Sequence, residues 1–451
     1  MKHSTGDALG IYVSIPFCRS KCTYCNFASG VFPASDHARY IARVIADLAG
    51  SRAWAASIGA ELARRVDTVY LGGGTPSLLA PELVAQLFAA IRMEFDLDAD
   101  VEITMECAPG QIADATLEAM ASAGVNRVSL GVQSFIDSEA HATGRLHSHA
   151  VVESDLKRLR AAGITNLNVD LIAGLGGQTF ASWEESLAAL IESQVPHASV
   201  YMLEVDEDSR LGREMLKGGK RYSAGLVPNE DAIARMYDRA IERLEAAGLR
   251  QYEISNFSRP GFHSRHNLRY WQRRPYLGVG LDASSMLQTP VALCASRLVS
   301  GRDFSASSMM IETGLVSGCD FSRAETDNQS SGALAPVSSL VLRATTTDDL
   351  PAYLAGTGAI ETEWLTPAQQ HEEAWFLGLR ANAGVNVSEL RAEFGDELVD
   401  PALETVERLT KDELLAFDGA HAQLTARGRL LSNEVFQEFL QPEVAQAKRG
   451  A

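Results

Sequence analysis

Long apolar runs are missing from this sequence. Its 451 residues contain no stretch of 18 or more uninterrupted apolar residues, which argues against a membrane-spanning helix. The opening MKHSTGDALGIYVSIPF lacks an apolar segment of signal-peptide length, so no secretory leader is expected there. Cysteine is scarce, with six in the whole chain, too few for a disulfide framework. Positive charge is also short. Lys plus Arg number 40 against 58 Asp plus Glu, a formal net charge of −18. Such a surface repels phosphate backbones, so no nucleic-acid partner is expected. The expectation is a cytoplasmic protein, with peripheral membrane contact left open. Hydrophobic content of 46% and charged content of 22% are ordinary for a globular chain, and the length implies more than one domain.

What the sequence does contain is an alternation of short apolar runs and longer helical patterns. Strands are predicted at 11–16, 68–73, 101–106, 127–132, 167–172 and 198–203, as Val-, Ile- and Leu-rich runs covered on both faces. Helical spacing recurs between them. In DATLEAMASAG a helix is expected to start on a capping Asp114 and to stop at Gly124. Six strand–helix units imply an α/β fold with a parallel sheet curled into all or part of a barrel; a flat doubly wound sheet is the alternative. In a barrel, the loops after the strands (GGGTPS, ECAPG, GVQSF and DLIAGLGG) would share one mouth. The stretch 300–340, rich in Ser and Gly, reads as an insertion. The expected division is 1–285 for the barrel, 286–360 for a connecting region and 361–451 for a small, mainly helical domain of winged-helix shape. In that domain FDGAHAQLTARG would be a β-wing.

Three of the six cysteines crowd into IPFCRSKCTYCNFAS: Cys18, Cys22 and Cys25. Three chemistries compete for them. Structural zinc wants four protein ligands, and the nearest further candidate is His37. A C-x-x-C redox pair would leave Cys18 without a role. A four-iron cluster normally takes four thiolates, so three leave one iron open to a small molecule. Elsewhere, RPGFHSRHNLRYWQRRP at 259–275 sets arginines among aromatics and reads as a surface for an anionic aromatic ligand. Cys294 and Cys319 have a spacing that supports no site, and Cys107 reads as a buried strand-end residue.

The C-x3-C-x2-C motif after the first strand resembles the radical S-adenosylmethionine (SAM) superfamily, in which SAM binds the open iron and is cleaved to a deoxyadenosyl radical. YVSIPFCRSKCTYCNF, YLGGGTPS, EITMECAPG, NRVSLGVQSF, TGRLHS, NLNVDLIAGLGGQT, YMLEVDEDSRLG and YEISNFSRPGFHSRHNLRYW follow the order seen in the oxygen-independent coproporphyrinogen III oxidase family. The resemblance implies a partial (β/α)6-type radical SAM barrel, a [4Fe–4S] cluster on Cys18, Cys22 and Cys25, and SAM beside it. SAM contacts would fall to Tyr12, Tyr24, Gly73, Gly74, Thr75, Glu106, Gln133, Arg145 and Asp170. Some of these, notably Gln133, Arg145 and Asp170, are alternatively the site of a second SAM.

Two features separate the branches of that family. The porphyrinogen-oxidising branch has a further cysteine just after the cluster motif, where this chain has Phe27. HNLRYW, His266 to Trp271, matches a motif of the heme-chaperone branch. The resemblance therefore implies a heme carrier that passes heme to an acceptor heme protein, one candidate being an acceptor at a membrane. His266 would be the iron ligand, with His263 as a second choice, and Arg265, Arg269, Arg273 and Arg274 would meet propionates. The alternative is a radical SAM enzyme acting on a tetrapyrrole. A homodimer is left open. Ala108, Gly176 and the DASS at 282–285 depart from the family pattern, the last putting the porphyrin pocket in doubt.

Overall fold

The computed structural model of the chain describes residues 8–290 and 339–440. Cys294, Cys319 and nearly all of the 300–340 insertion lie outside those residues; only Ser339 and Leu340 are described, and they open a strand. All six expected strands are present: β1 (Leu9–Ile15), β2 (Arg65–Gly73), β3 (Asp96–Cys107), β4 (Arg127–Gln133), β5 (Asn166–Ala173) and β6 (His197–Met202). They pair in parallel, each with the next in sequence. The crossovers are helices α1 (Ala34–Ser57), α2 (Pro81–Glu94), α3 (Asp114–Ser122), α4 (Asp137–Ala142), α5 (His149–Ala161) and α6 (Phe180–Glu192). After β6 come α7 (Arg210–Leu216), α8 (Glu230–Ala246) and α9 (Arg265–Trp271).

The strands are not covered by apolar groups on both faces. Ile11 and Val13, Val69 and Leu71, Ile103 and Met105, Val128 and Leu130, Val169 and Val200 join one core with helix residues such as Ile41, Val44, Leu87 and Leu187. Their neighbours at the other parity are polar: Tyr12 and Ser14, Thr68 and Tyr70, Thr104 and Glu106, Ser129, Asn168 and Asp170, Ser199 and Tyr201. With a side-chain period of two, the helices take one face and a polar interior takes the other.

The sheet extends beyond the expected six. Short strands β7 (Arg250–Gln251), β8 (Asn256–Ser258), β9 (Tyr276–Val279), β10 (Ser284–Pro290), β11 (Ser339–Thr346) and β12 (Ile360–Leu365) complete a twelve-stranded mixed sheet in the order β12-β11-β10-β9-β1-β2-β3-β4-β5-β6-β8-β7. Among the described residues the strand order is linear, and no pairing closes the two edges on each other. The expected connecting region thus contributes antiparallel strands to the sheet edge. Asp114 also differs from expectation. Ala113 is the N-cap, and the Asp114 carboxylate accepts from Arg158 Nη2 at 2.5 Å instead of capping the helix. Gly124, at φ +83°, ends that helix as expected.

The C-terminal part builds a second core around Trp375, Leu390, Phe394, Val399, Val406 and Val435. Helices at Pro367–Arg380, Val387–Phe394 and Asp396–Lys411 surround a small sheet of β13 (Val385–Asn386), β14 (Leu415–Phe417) and β15 (His421–Leu424). The expected wing is a hairpin of β14 and β15, turned at Asp418, whose carboxylate accepts from the amides of Ala420 and His421.

Helix α9 lies between these two cores. Arg269 is fully buried and pairs with Asp67, which also receives Arg274 Nη2 at 2.9 Å. Arg269 Nη1 donates to the carbonyls of Ala8 and Pro275, both at 2.8 Å. Glu102 accepts the backbone amides of Arg265 and His266 at the start of the helix. Arg273 forms a two-point ion pair with Glu393, and Arg380 sits 4.3 Å over the Trp271 ring. In the segment 259–275, Arg269, Arg273 and Arg274 thus pair with Asp67 and Glu393, Arg265 pairs with Asp100 at the surface, and Arg259 is exposed. Replacing Asp67 by Asn leaves Arg269 buried without its counter-charge. The expected loss is about 3 kcal/mol or more in urea denaturation; a loss under about 1 kcal/mol would show that the pair does not fasten the helix.

Candidate functional site

The site is built where β1 to β4 end and the cysteine loop begins. Residues 16–30 form a closed loop, with Cys18 N donating to Gly30 O at 2.8 Å and Gly30 N to Pro16 O at 2.9 Å. Thr23 N donates to Thr143 O at 3.0 Å, and Leu211 N donates back to Thr23 O at 2.8 Å. These bonds tie the loop to the segments after β4 and β6. All three thiols are half-buried. Burial raises the Cys18 thiol, its hydrogen bonds to Thr75 and Ser29 oppose this, and Cys25 and Cys22 add to the rise, so the three lie within electrostatic reach of one another. Among the described residues no group of three or more His, Cys, Asp or Glu side chains converges on a single ion. A four-iron cluster is wider than an ion and takes each thiolate on a different iron. His37, the candidate fourth zinc ligand, is stacked on Phe17 with ring centroids 3.9 Å apart.

The GGGTP turn crosses beside this loop. Gly74 N donates to Ile15 O and Thr75 N to Phe17 O, each at 2.8 Å, so these amides are spent on the chain itself. A Cβ on Gly74 would meet the carbonyls of Ile15 and Phe17 at 2.8 Å, which is why the turn needs glycine. Gly73, at φ +98°, donates its amide to Glu106 Oε2 at 3.2 Å. Glu106 also accepts the Tyr70 hydroxyl at 2.8 Å. Burial pushes the Glu106 carboxyl up to about 7; the Tyr70 bond opposes this and Asp170 adds to it. Asp170 is likewise raised by burial, against donors from Ser199, Asn168 and Ser129 and the charge of Arg145.

Arg145 and Gln133 complete the arrangement. Arg145 Nη2 donates to Tyr24 Oη at 3.3 Å, while Arg145 Nε and Gln133 Oε1 are buried with no partner from the protein. Burial works against the Arg145 charge, but the neighbouring Tyr24, Cys22 and Asp170 outweigh it and raise its pKa. A Cβ at Gly131 would come within 3.0 Å of Arg145 Nη2, so glycine clears the path of the guanidinium. Gln133 adopts φ +71°, a strained backbone for a residue with a side chain. A buried donor and acceptor left unpaired each cost about 1–3 kcal/mol. A ligand with a carboxylate for Arg145 and a hydroxyl or amine for Gln133 would recover that cost.

The structure thus brings together Tyr24, Gly73, Glu106, Gln133, Arg145 and Asp170, with Tyr12 stacked on Tyr70 at 6.1 Å. Sequence reasoning missed Tyr70, Ser129, Asn168 and Ser199. Only Asn168 carried a signal, its spacing of two from Asp170. His266 borders this group through the Tyr70 ring, 5.2 Å away. It is fully buried, Nδ1 lies 2.9 Å from Thr68 Oγ1, and Nε2 lies 2.9 Å from Tyr270 Oη. Burial, with help from Arg269, lowers its pKa to about 3, so it is neutral. His263 is exposed and stacks on Tyr252 at 4.2 Å. Phe27 is 63% exposed.

Comparison with known proteins places these features in a lineage. Residues 12–190 match the radical SAM superfamily, and residues 365–431 match the HemN C-terminal domain. The chain is 30% identical to the heme chaperone HemW of Lactococcus lactis over 433 residues, covering 96% of this chain and 97% of that protein. It is 33% identical to the heme chaperone HemW of Escherichia coli over 283 residues, covering 62% of this chain and 71% of that protein. The structure described as coproporphyrinogen III oxidase (HemN) from Escherichia coli, a radical SAM enzyme, shares the fold. Its TM-score is 0.72 at 20% identity, covering 97% of this chain and 91% of that one.

Protonation of Glu106 carries a stability signature. With a folded pKa near 7 against an ordinary 4.5, the folded chain keeps a proton that the unfolded chain has lost between those values. Stability therefore falls as pH rises through that window and levels off above it. Glu106→Gln is expected to gain up to about 3 kcal/mol relative to the parent between about pH 4 and pH 8, read from denaturation curves. A pH-independent difference would mean that Glu106 titrates normally.

Proposed function

Because this chain belongs to the radical SAM superfamily and, within it, to the family of the heme chaperone HemW, we propose that it binds heme and hands it to an acceptor heme protein. The near full-length match to a protein named a heme chaperone carries this reading. Phe27 supports it, since a phenyl group cannot replace the additional thiol of the porphyrinogen-oxidising branch. Exposed Phe27, Leu146, Phe180, Tyr201 and Leu216 on the segments that end or follow β1, β4, β5 and β6 offer apolar surface suited to a planar tetrapyrrole. No described helix is long and apolar enough to cross a membrane, so an acceptor in a membrane would be met from outside the bilayer.

Cys18, Cys22 and Cys25 would hold a [4Fe–4S] cluster, whose open iron corner supplies a binding place for SAM and one-electron chemistry. Arg145 would pair with the SAM carboxylate. Gln133 and Asp170 would take ribose hydroxyls, and Glu106 an amine or hydroxyl. Gly73 to Thr75 would let the methionyl chain lie against backbone. Tyr12 and Tyr24 would wall the site, and their hydroxyls stay protonated because burial raises both.

His266 remains the proposed heme ligand, with a condition set by the fold. His266 Nε2 lies 2.9 Å from the Tyr270 hydroxyl on a buried ring, so this bond would have to open for Nε2 to serve as a ligand. Its neutral state suits coordination. After anaerobic cluster reconstitution, His266→Ala is expected to weaken heme binding at least about tenfold with iron and sulfide unchanged, and Tyr270→Phe to strengthen it. Heme affinity unmoved in His266→Ala would assign the ligand elsewhere. Incubation with coproporphyrinogen should yield no protoporphyrinogen; turnover would replace the carrier reading with an enzymatic one.

A further inference from the structure

One end of a buried hydrogen-bond chain rests on Asp170, and the other on the N-cap of α9. The backbone N–H of Ser264 donates to Tyr252 Oη at 3.2 Å. Tyr252 Oη lies 2.8 Å from His197 Nε2, and His197 Nδ1 lies 2.6 Å from Asn168 Oδ1. Asn168 Nδ2 donates to Asp170 Oδ1 at 2.6 Å and to Ser129 Oγ at 2.6 Å. His197, Asn168 and Tyr252 are 0%, 2% and 8% exposed.

The Asp170 end fixes the direction of the bonds. An ionised carboxylate only accepts, so the Asn168 amino group faces Asp170 and Asn168 Oδ1 faces His197. His197 therefore carries its proton on Nδ1 and donates to Asn168 Oδ1. The neutral ring then accepts at Nε2 from the Tyr252 hydroxyl, which also accepts from Ser264 N–H. A flipped amide would set oxygen against carboxylate at 2.6 Å and nitrogen against the His197 N–H. Burial and the nearby Arg127 keep His197 neutral, as the acceptor at Nε2 requires.

We propose that His197 is a positioning residue: it holds the Asn168 amide in the single orientation that donates to Asp170, and so sets that carboxylate for its ligand and links it to the start of α9. This rests on the reading of Asp170 as a SAM contact. Ser129 Oγ also donates to Asp170, at 3.1 Å, so the chain supplies one of its donors and not all of them. Arg145, Glu106, Tyr70 and Tyr201 are the charged and titratable groups that face Asp170 from neighbouring segments.

The test titrates SAM into the full-length, anaerobically reconstituted protein by calorimetry from about pH 5 to pH 8. His197→Phe is expected to bind SAM about tenfold more weakly, the scale of one hydrogen bond to a charged group. Its acid limb should move to higher pH, because Asp170 loses a donor that favours its charged form. His197→Gln can accept from Tyr252 and donate to Asn168, and should recover most of the affinity. Affinity and pH profile of His197→Phe equal to the parent would overturn the proposal, as would a Gln variant no better than Phe with both folded by circular dichroism. Should His197→Phe fail to fold, Tyr252→Phe removes only a hydroxyl. Weaker SAM binding there supports the chain, and parental binding overturns it. Absence of SAM binding by the parent protein itself is a different failure, because it removes the site assignment on which the proposal stands.

Discussion

Arginines converge on one buried carboxylate, and much of the molecule is arranged around that meeting. Asp67 sits near the start of β2, and Arg269 reaches it from α9, some two hundred residues later in the chain. Removing a guanidinium from water is expensive, so the pair holds only if every remaining donor is used. Beside Asp67, the carbonyls of Ala8 and Pro275 take the same guanidinium, and Thr68 takes its Nε. The result fastens α9 against the early part of the parallel sheet. Glu102 receives the first amides of that helix and so joins β3 to the same point.

With that helix in place, the polar face of the sheet is lined from β1 to β6 by groups that depend on one another. The rings of Tyr12, Tyr70 and His266 cluster within 6.5 Å of one another, and the Tyr70 hydroxyl fixes Glu106. Asn168 and Ser129 fix Asp170. Near the cysteine loop Arg145 Nε and Gln133 Oε1 have no protein partner, and on β3 and β4 Thr104 Oγ1 and Arg127 Nε are also unpartnered. The interior is therefore satisfied only in part, and the two groups by the loop are ones an incoming ligand could satisfy.

The heme segment shows how a motif can be recognised while its present state stays hidden. HNLRYW was legible as a unit, but its residues face inward. His266, Arg269 and Tyr270 take partners on β2 and within α9, and Trp271 lies under Arg380 of the C-terminal part. An arginine-rich stretch in an acidic chain looks like a binding surface because a sequence does not show where the acids are. Asp67, Asp100 and Glu393 are far from it in sequence and beside it in space.

By itself the sequence determined the six strand–helix units, the cysteine loop after the first strand and the polar candidates at strand ends. Each is a local matter of period, glycine placement or a short motif. Tertiary structure alone decided the rest. The short strands β7, β8 and β9 hold too few residues to carry a periodic signal, and β7 to β12 all take their place by pairing with a sheet edge. Asn168, His197 and Tyr252 look ordinary in the chain, and only long-range packing in a buried interior makes one unbroken relay of them.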